Sequence, residues 1–155
     1  YSYRSAELAA HCRAVTDMLT ADAAASGRVH RFGRVAEKTM SLIDCFNAAD
    51  AMISDVSSVV VDFLYSEKPL GMVAVSDPVD RFRERYPVGR AAYVMEVRDG
   101  HIPDLDRHLD DLLSDRDLPD TRRSLKRYYL GDIPPQEYLE RFVREARSVL
   151  EGTQA

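Results

Sequence analysis

The chain has 155 residues, with 26 acidic and 21 basic side chains and a formal net charge of −5. At 45% hydrophobic and 30% charged it has the make-up of one soluble globular domain, long enough to bury a core without disulfide or metal staples. The acidic balance argues against a general nucleic-acid binder, no apolar run approaches the roughly 18 residues of a membrane helix, and the first ten residues carry no secretory pattern. Arg4 to Ala25 lacks Pro and Gly and is rich in alanine, which predicts a helix with Leu8, Cys12, Val15 and Leu19 facing inward and Gly27 as a left-handed cap. Val29 to Phe32 alternates apolar and polar residues and predicts a short strand. Ala36 to Ala48 predicts a second helix with Met40, Ile43 and Phe46 on one stripe, and Asp50 to Ser54 a short buried strand. After the polar turn Asp55-Val-Ser-Ser58, three consecutive valines favour a strand by propensity. The spacing of Val59, Val60, Phe63 and Leu64, with a serine pair in front as N-cap, favours a helix to Ser66 instead.

Glu67-Lys-Pro69 breaks that helix, and Leu70 to Val75 is an apolar strand of the kind buried on both faces. Asp77-Pro78 reads as N-cap and first position of a short helix to about Glu84. Ala92 to Val97 is the last strand, followed by an Asp99-Gly100 turn. Three helices follow: Asp104 to Ser114 with Leu105, Leu109, Leu112 and Leu113 inward, Pro119 to Tyr129, and Gln136 to Leu150 with a regular apolar stripe. Short strands alternating with helices predict a parallel sheet flanked by helices, a Rossmann-like α/β fold with ligands at the carboxyl ends of the strands. One domain over residues 1–151 is expected, with a frayed tail over 152–155.

The stretch from Ala49 to Phe63 carries the chemistry. A strand ends at Ser54 and a helix starts near Ser57, so the first amides of that helix lack internal partners and carry partial positive charge. The hydroxyls of Ser57 and Ser58 add donors, which suits a phosphate or pyrophosphate. Asp55 either fixes the turn by accepting backbone amides or orients a ligand hydroxyl, and Asp62 is placed to hold one serine. The same pattern is also an ordinary helix N-cap, and spacing alone leaves both readings open.

The run Asp50-Ala-Met-Ile-Ser-Asp55-Val56-Ser57-Ser58, then Val61-Asp62-Phe63, then Lys68-Pro69, resembles the C-terminal domain of the CDP-glycerol glycerophosphotransferases. These teichoic-acid polymerases and primases carry Asp-x-Leu-Ile-Thr-Asp-Tyr-Ser-Ser, Phe-Asp-Phe and Lys-Pro there. Val56 stands for the usual Tyr and Val61 for the Phe before the Asp. The resemblance implies the C-terminal half of a GT-B fold, two Rossmann-like domains with the active site between them. It makes Asp55, Ser57 and Ser58 contacts of the donor's pyrophosphate, with Asp62 in support. The implied partners are a nucleotide-diphosphate-activated donor such as CDP-glycerol and a missing N-terminal GT-B domain. It implies no metal cofactor, and no cofactor of any kind is expected. The family's His-Gly-Thr-Pro motif is absent, and Arg28-Val-His30 follows a long helix rather than preceding it, so no catalytic residue is assigned. Residue 1 is Tyr rather than Met, so the chain reads as a donor-binding piece of a longer transferase, inactive alone.

The remaining clusters have plainer readings. Arg28, His30 and Arg31, with Arg34 nearby, form a basic group able to face a phosphate or lie in a solvated loop. Asp77, Asp80, Arg81, Arg83, Glu84 and Arg85 crowd the short helix after the third predicted strand, which sits where a donor's base or ribose would lie, or is simply solvated. His11 and Cys12 lack further metal ligands, and His101 and His108 read as surface residues. The aspartates from Asp104 to Asp117 spread around a helix rather than forming a cage. Arg122, Arg123, Lys126 and Arg127 read as partners of that acidic helix. Cys12 and Cys45 read as reduced thiols in a cytoplasmic protein, with peripheral association at the inner membrane surface expected only of the full-length parent. No Gly-x-Ser-x-Gly, Walker or Gly-x-Gly-x-x-Gly motif is present. The rival reading is a non-catalytic α/β interaction module without nucleotide affinity.

Overall fold

The computed structural model describes residues 6–33 and 38–152. The chain divides into two compact units, Tyr1–Ala48 and Ala49–Ala155.

In the first unit, α1 spans Ala6–Ser26 and α2 spans Leu42–Ala48. Gly27 ends α1 in the left-handed region (φ 71°), its amide bonding the Ala23 carbonyl at 3.0 Å, as a C-terminal glycine cap should. The predicted inward face of α1 is not buried: Leu8 is 48% and Val15 52% exposed. The predicted strand over Val29–Phe32 does not form. A strand needs a pairing neighbour, and here the chain instead turns back so that His30 Nε2 meets Asp22 Oδ2 at 2.6 Å. Of the helix predicted over Ala36–Ala48, residues 36 and 37 lie outside the described residues, Lys38 and Thr39 are helical, and the run breaks at Met40 before α2, where Ser41 and Asp44 build a reciprocal cap. The Asp44 carboxylate accepts from the Ser41 amide at 2.9 Å, and the Ser41 hydroxyl accepts from the Asp44 amide at 3.2 Å.

The second unit holds a three-stranded parallel sheet, β1 (Met52–Ser54), β2 (Leu70–Ala74) and β3 (Tyr93–Glu96), in the order β1-β2-β3. Ser54 lies opposite Met72, and Ala74 opposite Glu96. The mixed α/β, Rossmann-like fold with flanking helices is therefore present. Between β1 and β2 the chain is helical: α3 (Val59–Phe63) runs into a 3-10 turn over Leu64–Ser66. The helical reading of the valine run holds because Val60, Phe63 and Leu64, at i, i+3 and i+4, are all at most 1% exposed. Between β2 and β3 lie α4 (Val79–Arg85) and a 3-10 turn over Pro87–Ala91. Pro78 is the N-cap of α4, one position later than the Asp77 predicted.

Central β2 is buried on both faces, with Leu70, Met72 and Ala74 fully covered, which is why it reads as a continuous apolar run. Gly71 leaves room that a side chain would fill: a Cβ there would stand 3.0 Å from Met95 and 3.2 Å from Ile53. Lys68 Nζ donates to the Ala49 carbonyl at 2.7 Å, and the Met52 amide donates to the Pro69 carbonyl at 3.0 Å. The Lys-Pro pair thus ties the start of β2 to the entry of β1 and fixes their register.

After β3 come α5 (Leu105–Ser114), α6 (Pro119–Leu130), a 3-10 turn over Pro135–Glu137 and α7 (Tyr138–Leu150). Leu112 is buried, whereas Leu113, expected inward, is 65% exposed. Arg122, on α6, is 1% exposed and binds both carboxylate oxygens of Asp115, at 2.8 and 2.7 Å. Its Nη1 also donates to the Glu67 carbonyl at 3.1 Å. Among the described residues no helix is long and apolar enough to cross a membrane.

Candidate functional site

The parallel strands of the second unit all point the same way, so the turns after Ser54 and Ala74 emerge side by side. That edge gathers the predicted residues. Ser54 ends β1, Asp55 and Val56 bend the chain, and Ser57 and Ser58 lead into α3. The Ser57 hydroxyl accepts from the Val59 amide at 3.4 Å, while its carbonyl accepts from Val60 at 3.2 Å. Ser58 is the N-cap residue, yet its backbone is already helical (φ −60°, ψ −29°) and its side chain makes no cap bond. An N-cap hydroxyl reaches the N2 or N3 amide from extended backbone, so the weak cap comes from Ser57 rather than Ser58. Ser58 is exposed, and its hydroxyl has no partner among the described residues. Asp62 is exposed on α3; its amide donates to the Ser58 carbonyl at 3.4 Å, but its carboxylate forms no hydrogen bond with either serine among the described residues.

The turn after β2 supplies the opposite wall. A cavity of about 240 Å³ opens between the two turns. Asp55 and Val56 line it from the β1 side, Val75, Ser76 and Asp77 from the β2 side, and Phe82, Arg85 and Tyr86 from α4. Asp77 keeps only 18% of its side chain exposed and faces Arg85 Nη1 at 3.4 Å, a distance that leaves the guanidinium free for another anion. Arg85 also lies 5.4 Å over the Tyr86 ring, which packs against buried Phe82 with centroids 5.1 Å apart. The floor is thus aromatic and the rim carries hydroxyls, two carboxylates and a cation.

The start of α4 is not open to a ligand in the same way. Glu96, at the end of β3, bonds the Val79 amide and is held by Arg98 Nε at 2.8 Å. The Arg98 guanidinium, more than that amide, keeps the Glu96 carboxyl below the usual carboxylate range.

The structure therefore brings Asp55 and Asp77 into one cavity and sets Ser57 and Ser58 on the adjoining turn, beyond its lining. Arg34 lies outside the described residues. Arg85, one of the charged cluster expected near a donor's base or ribose, lines the cavity, and Tyr86, which no sequence pattern singled out, joins it. Elsewhere, Cys12 and Cys45 are free thiols. Among the described residues no three His, Cys, Asp or Glu side chains are gathered as a metal would need. Of the basic residues on α6, Arg122 pairs with Asp115, the C-cap of acidic α5, at 2.7 Å, whereas Arg123 pairs with Asp120, Lys126 with Glu67 at 2.6 Å and Arg127 with Asp132 at 3.6 Å.

Two pieces of chemistry are open to such an edge. Hydroxyls and a cation receive phosphate oxygens, and an aromatic wall beside a carboxylate receives a ring and its hydroxyls. Comparison with known proteins gives one match: a family described as CDP-glycerol:poly(glycerophosphate) glycerophosphotransferase, over residues 19–103, more than half of the chain. That span contains β1, β2, β3 and every cavity residue named above. No curated protein and no solved structure matches the chain.

Proposed function

The chain belongs to the CDP-glycerol:poly(glycerophosphate) glycerophosphotransferase family, and from that premise we propose that residues 1–151 are the donor-binding half of a GT-B transferase. It is a glycerophosphotransferase-type domain. Its donor is a nucleotide-diphosphate-activated polyol of the CDP-glycerol kind, and it works with an N-terminal GT-B domain that brings the acceptor and the proton-transfer groups. Alone it binds and does not turn over.

The reaction named by the family moves glycerophosphate from CDP-glycerol to a growing polymer. The acceptor's hydroxyl oxygen forms a bond to the phosphorus that carries glycerol as the bond from that same phosphorus to the bridging oxygen breaks, so cytidine monophosphate leaves with the bridging oxygen and the hydroxyl proton passes to a group of the N-terminal domain. Negative charge grows on the departing phosphate, so cationic and hydroxyl donors at that point favour the transition state. Ser57 and Ser58 donate to the pyrophosphate, and the Arg85 guanidinium meets the charge on the leaving side. Asp77 takes a ribose hydroxyl, Tyr86 borders the base, and Asp55 orients the turn, with Asp62 behind it.

One observation supports the reading: Ser58 presents a hydroxyl with no partner among the described residues, on the turn that adjoins a cavity edged by Asp77 and Arg85. Isothermal titration of the chain with CDP-glycerol tests it. Binding is expected for the native chain, with S57A/S58A weakening it at least about tenfold through two lost phosphate bonds while the melting temperature holds. Equal titration curves for the native and doubly substituted chains would refute the assignment.

A further inference from the structure

Helix α7 carries an apolar stripe that its own unit leaves open. Leu139, Phe142, Val149 and Leu150 are each at least 72% exposed, and the helix has no buried residue. Glu140 and Arg147 flank one edge of that stripe, two helical turns apart. Both are exposed, and among the described residues neither is in an ion pair, whereas Arg141 is held by Glu137 at 3.1 Å and Arg144 by Glu145 at 3.7 Å.

We propose that this face seats the same face of a second copy of the chain, with the two α7 helices antiparallel about a two-fold axis. The layers fix the register. Setting Leu139 opposite Val149 and Phe142 opposite Ala146 centres the axis at residue 144, and a large ring then meets a single methyl in the middle of the contact. With that centre Glu140 of each copy stands one residue, about 1.5 Å, from the level of Arg147 of the other, within reach of these two long side chains and on the same side of the pair. A two-fold contact must be self-complementary, and this one is. A parallel pairing would instead set Glu140 against Glu140 and Arg147 against Arg147. The polar face does not suit an anionic lipid surface either. From Glu137 to Glu151 it carries Glu137, Glu140, Glu145 and Glu151 against Arg141, Arg144 and Arg147, an acidic excess. The 13-residue helix is about 20 Å long, and its face is smaller than the roughly 800 Å² per partner of a standard interface, so the dimer is weak and concentration-dependent.

Sedimentation equilibrium of the whole chain from about 1 to 500 µM tests the proposal, with circular dichroism confirming the fold of every variant. Reversible dimerisation is expected. E140R and R147E should each weaken it about tenfold by facing like charges across the axis, twice per dimer. The double variant E140R/R147E should recover the native affinity, and an equal mixture of the two single variants should associate more tightly than either alone. A chain that stays monomeric throughout, single variants that dimerise as the native chain does, or a double variant that fails to recover would each overturn the proposal. So would a monomer that pellets with phosphatidylglycerol vesicles, which would assign the face to a membrane surface.

Discussion

Arg85 stands where the proposed reaction accumulates charge. Among the described residues its one ion-pair contact, to Asp77, is long at 3.4 Å, and its guanidinium is steadied by the Tyr86 ring beneath it. A cation so placed is oriented without being neutralised. Arg85→Ala is expected to weaken CDP-glycerol affinity about fivefold, the modest loss of a group 65% exposed to screening water, and Arg85→Lys to recover part of it. Titration calorimetry on both variants measures this, and an unaltered affinity in Arg85→Ala would remove the residue from the site. The two serines show what a motif does and does not reveal. Their position at a strand-to-helix turn was legible from Ser54 ending one apolar run and Val59 opening the next. Which of them caps the helix was not, because that depends on whether Ser58 adopts extended or helical backbone, and the residue type permits both. Arg85 was legible only as one charge among several on α4, since its approach to β1 is a tertiary fact.

The elements were readable where burial enforces a period. The fully covered β2 and the i, i+3, i+4 set on α3 are examples, and there core contacts overrode the strand propensity of three valines. Reading failed where no neighbour exists to enforce it: Val29–Phe32 has strand alternation but no ladder, and α1 has a helical stripe that stays exposed. It failed again at Arg122, which the sequence shows only as one of four basic residues, with Arg123, Lys126 and Arg127, on one helix. Arg122 joins α6 to the turn before β2 by way of Asp115 and the Glu67 carbonyl, and its Nε has no partner in the interior. The Glu67 backbone it holds is in the left-handed region, at φ 56°. Removing the guanidinium strands the Asp115 carboxylate and releases that turn. Arg122→Ala is expected to cost about 3 kcal/mol, as for other broken buried pairs, and to be read directly in urea denaturation. A cost below about 1 kcal/mol would show the pair to be a surface-like contact.

For the molecule as a whole, the ionised carboxylates set the acid limit of stability. Glu67 is held below the usual range chiefly by the hydrogen bond from Lys126, Glu96 by Arg98, Asp22 by His30 and Asp44 by Ser41. Groups with lowered folded-state pKa add stability that is complete above their unfolded values and is lost as pH falls through the folded ones. Tyr93 works in the other direction. Burial raises its pKa, so its contribution is complete below the unfolded value and is lost as pH rises through the folded one. Thermal melts should therefore be level between about pH 6 and 9, falling below about pH 5 and again above about pH 10. The loss on each side should be modest, because most of these groups are partly solvated. A melting temperature that holds to pH 3 would contradict the acid arm.

The central claim is that the edge formed by the β1 and β2 turns holds the donor. Amide chemical shifts of the nitrogen-15-labelled chain during titration with CDP-glycerol test it most directly. Saturable changes confined to residues 55–59 and 76–86 are the predicted result. Unchanged spectra, or changes gathered on α7 or the first unit instead, would contradict it and leave an α/β module whose partner is not a nucleotide.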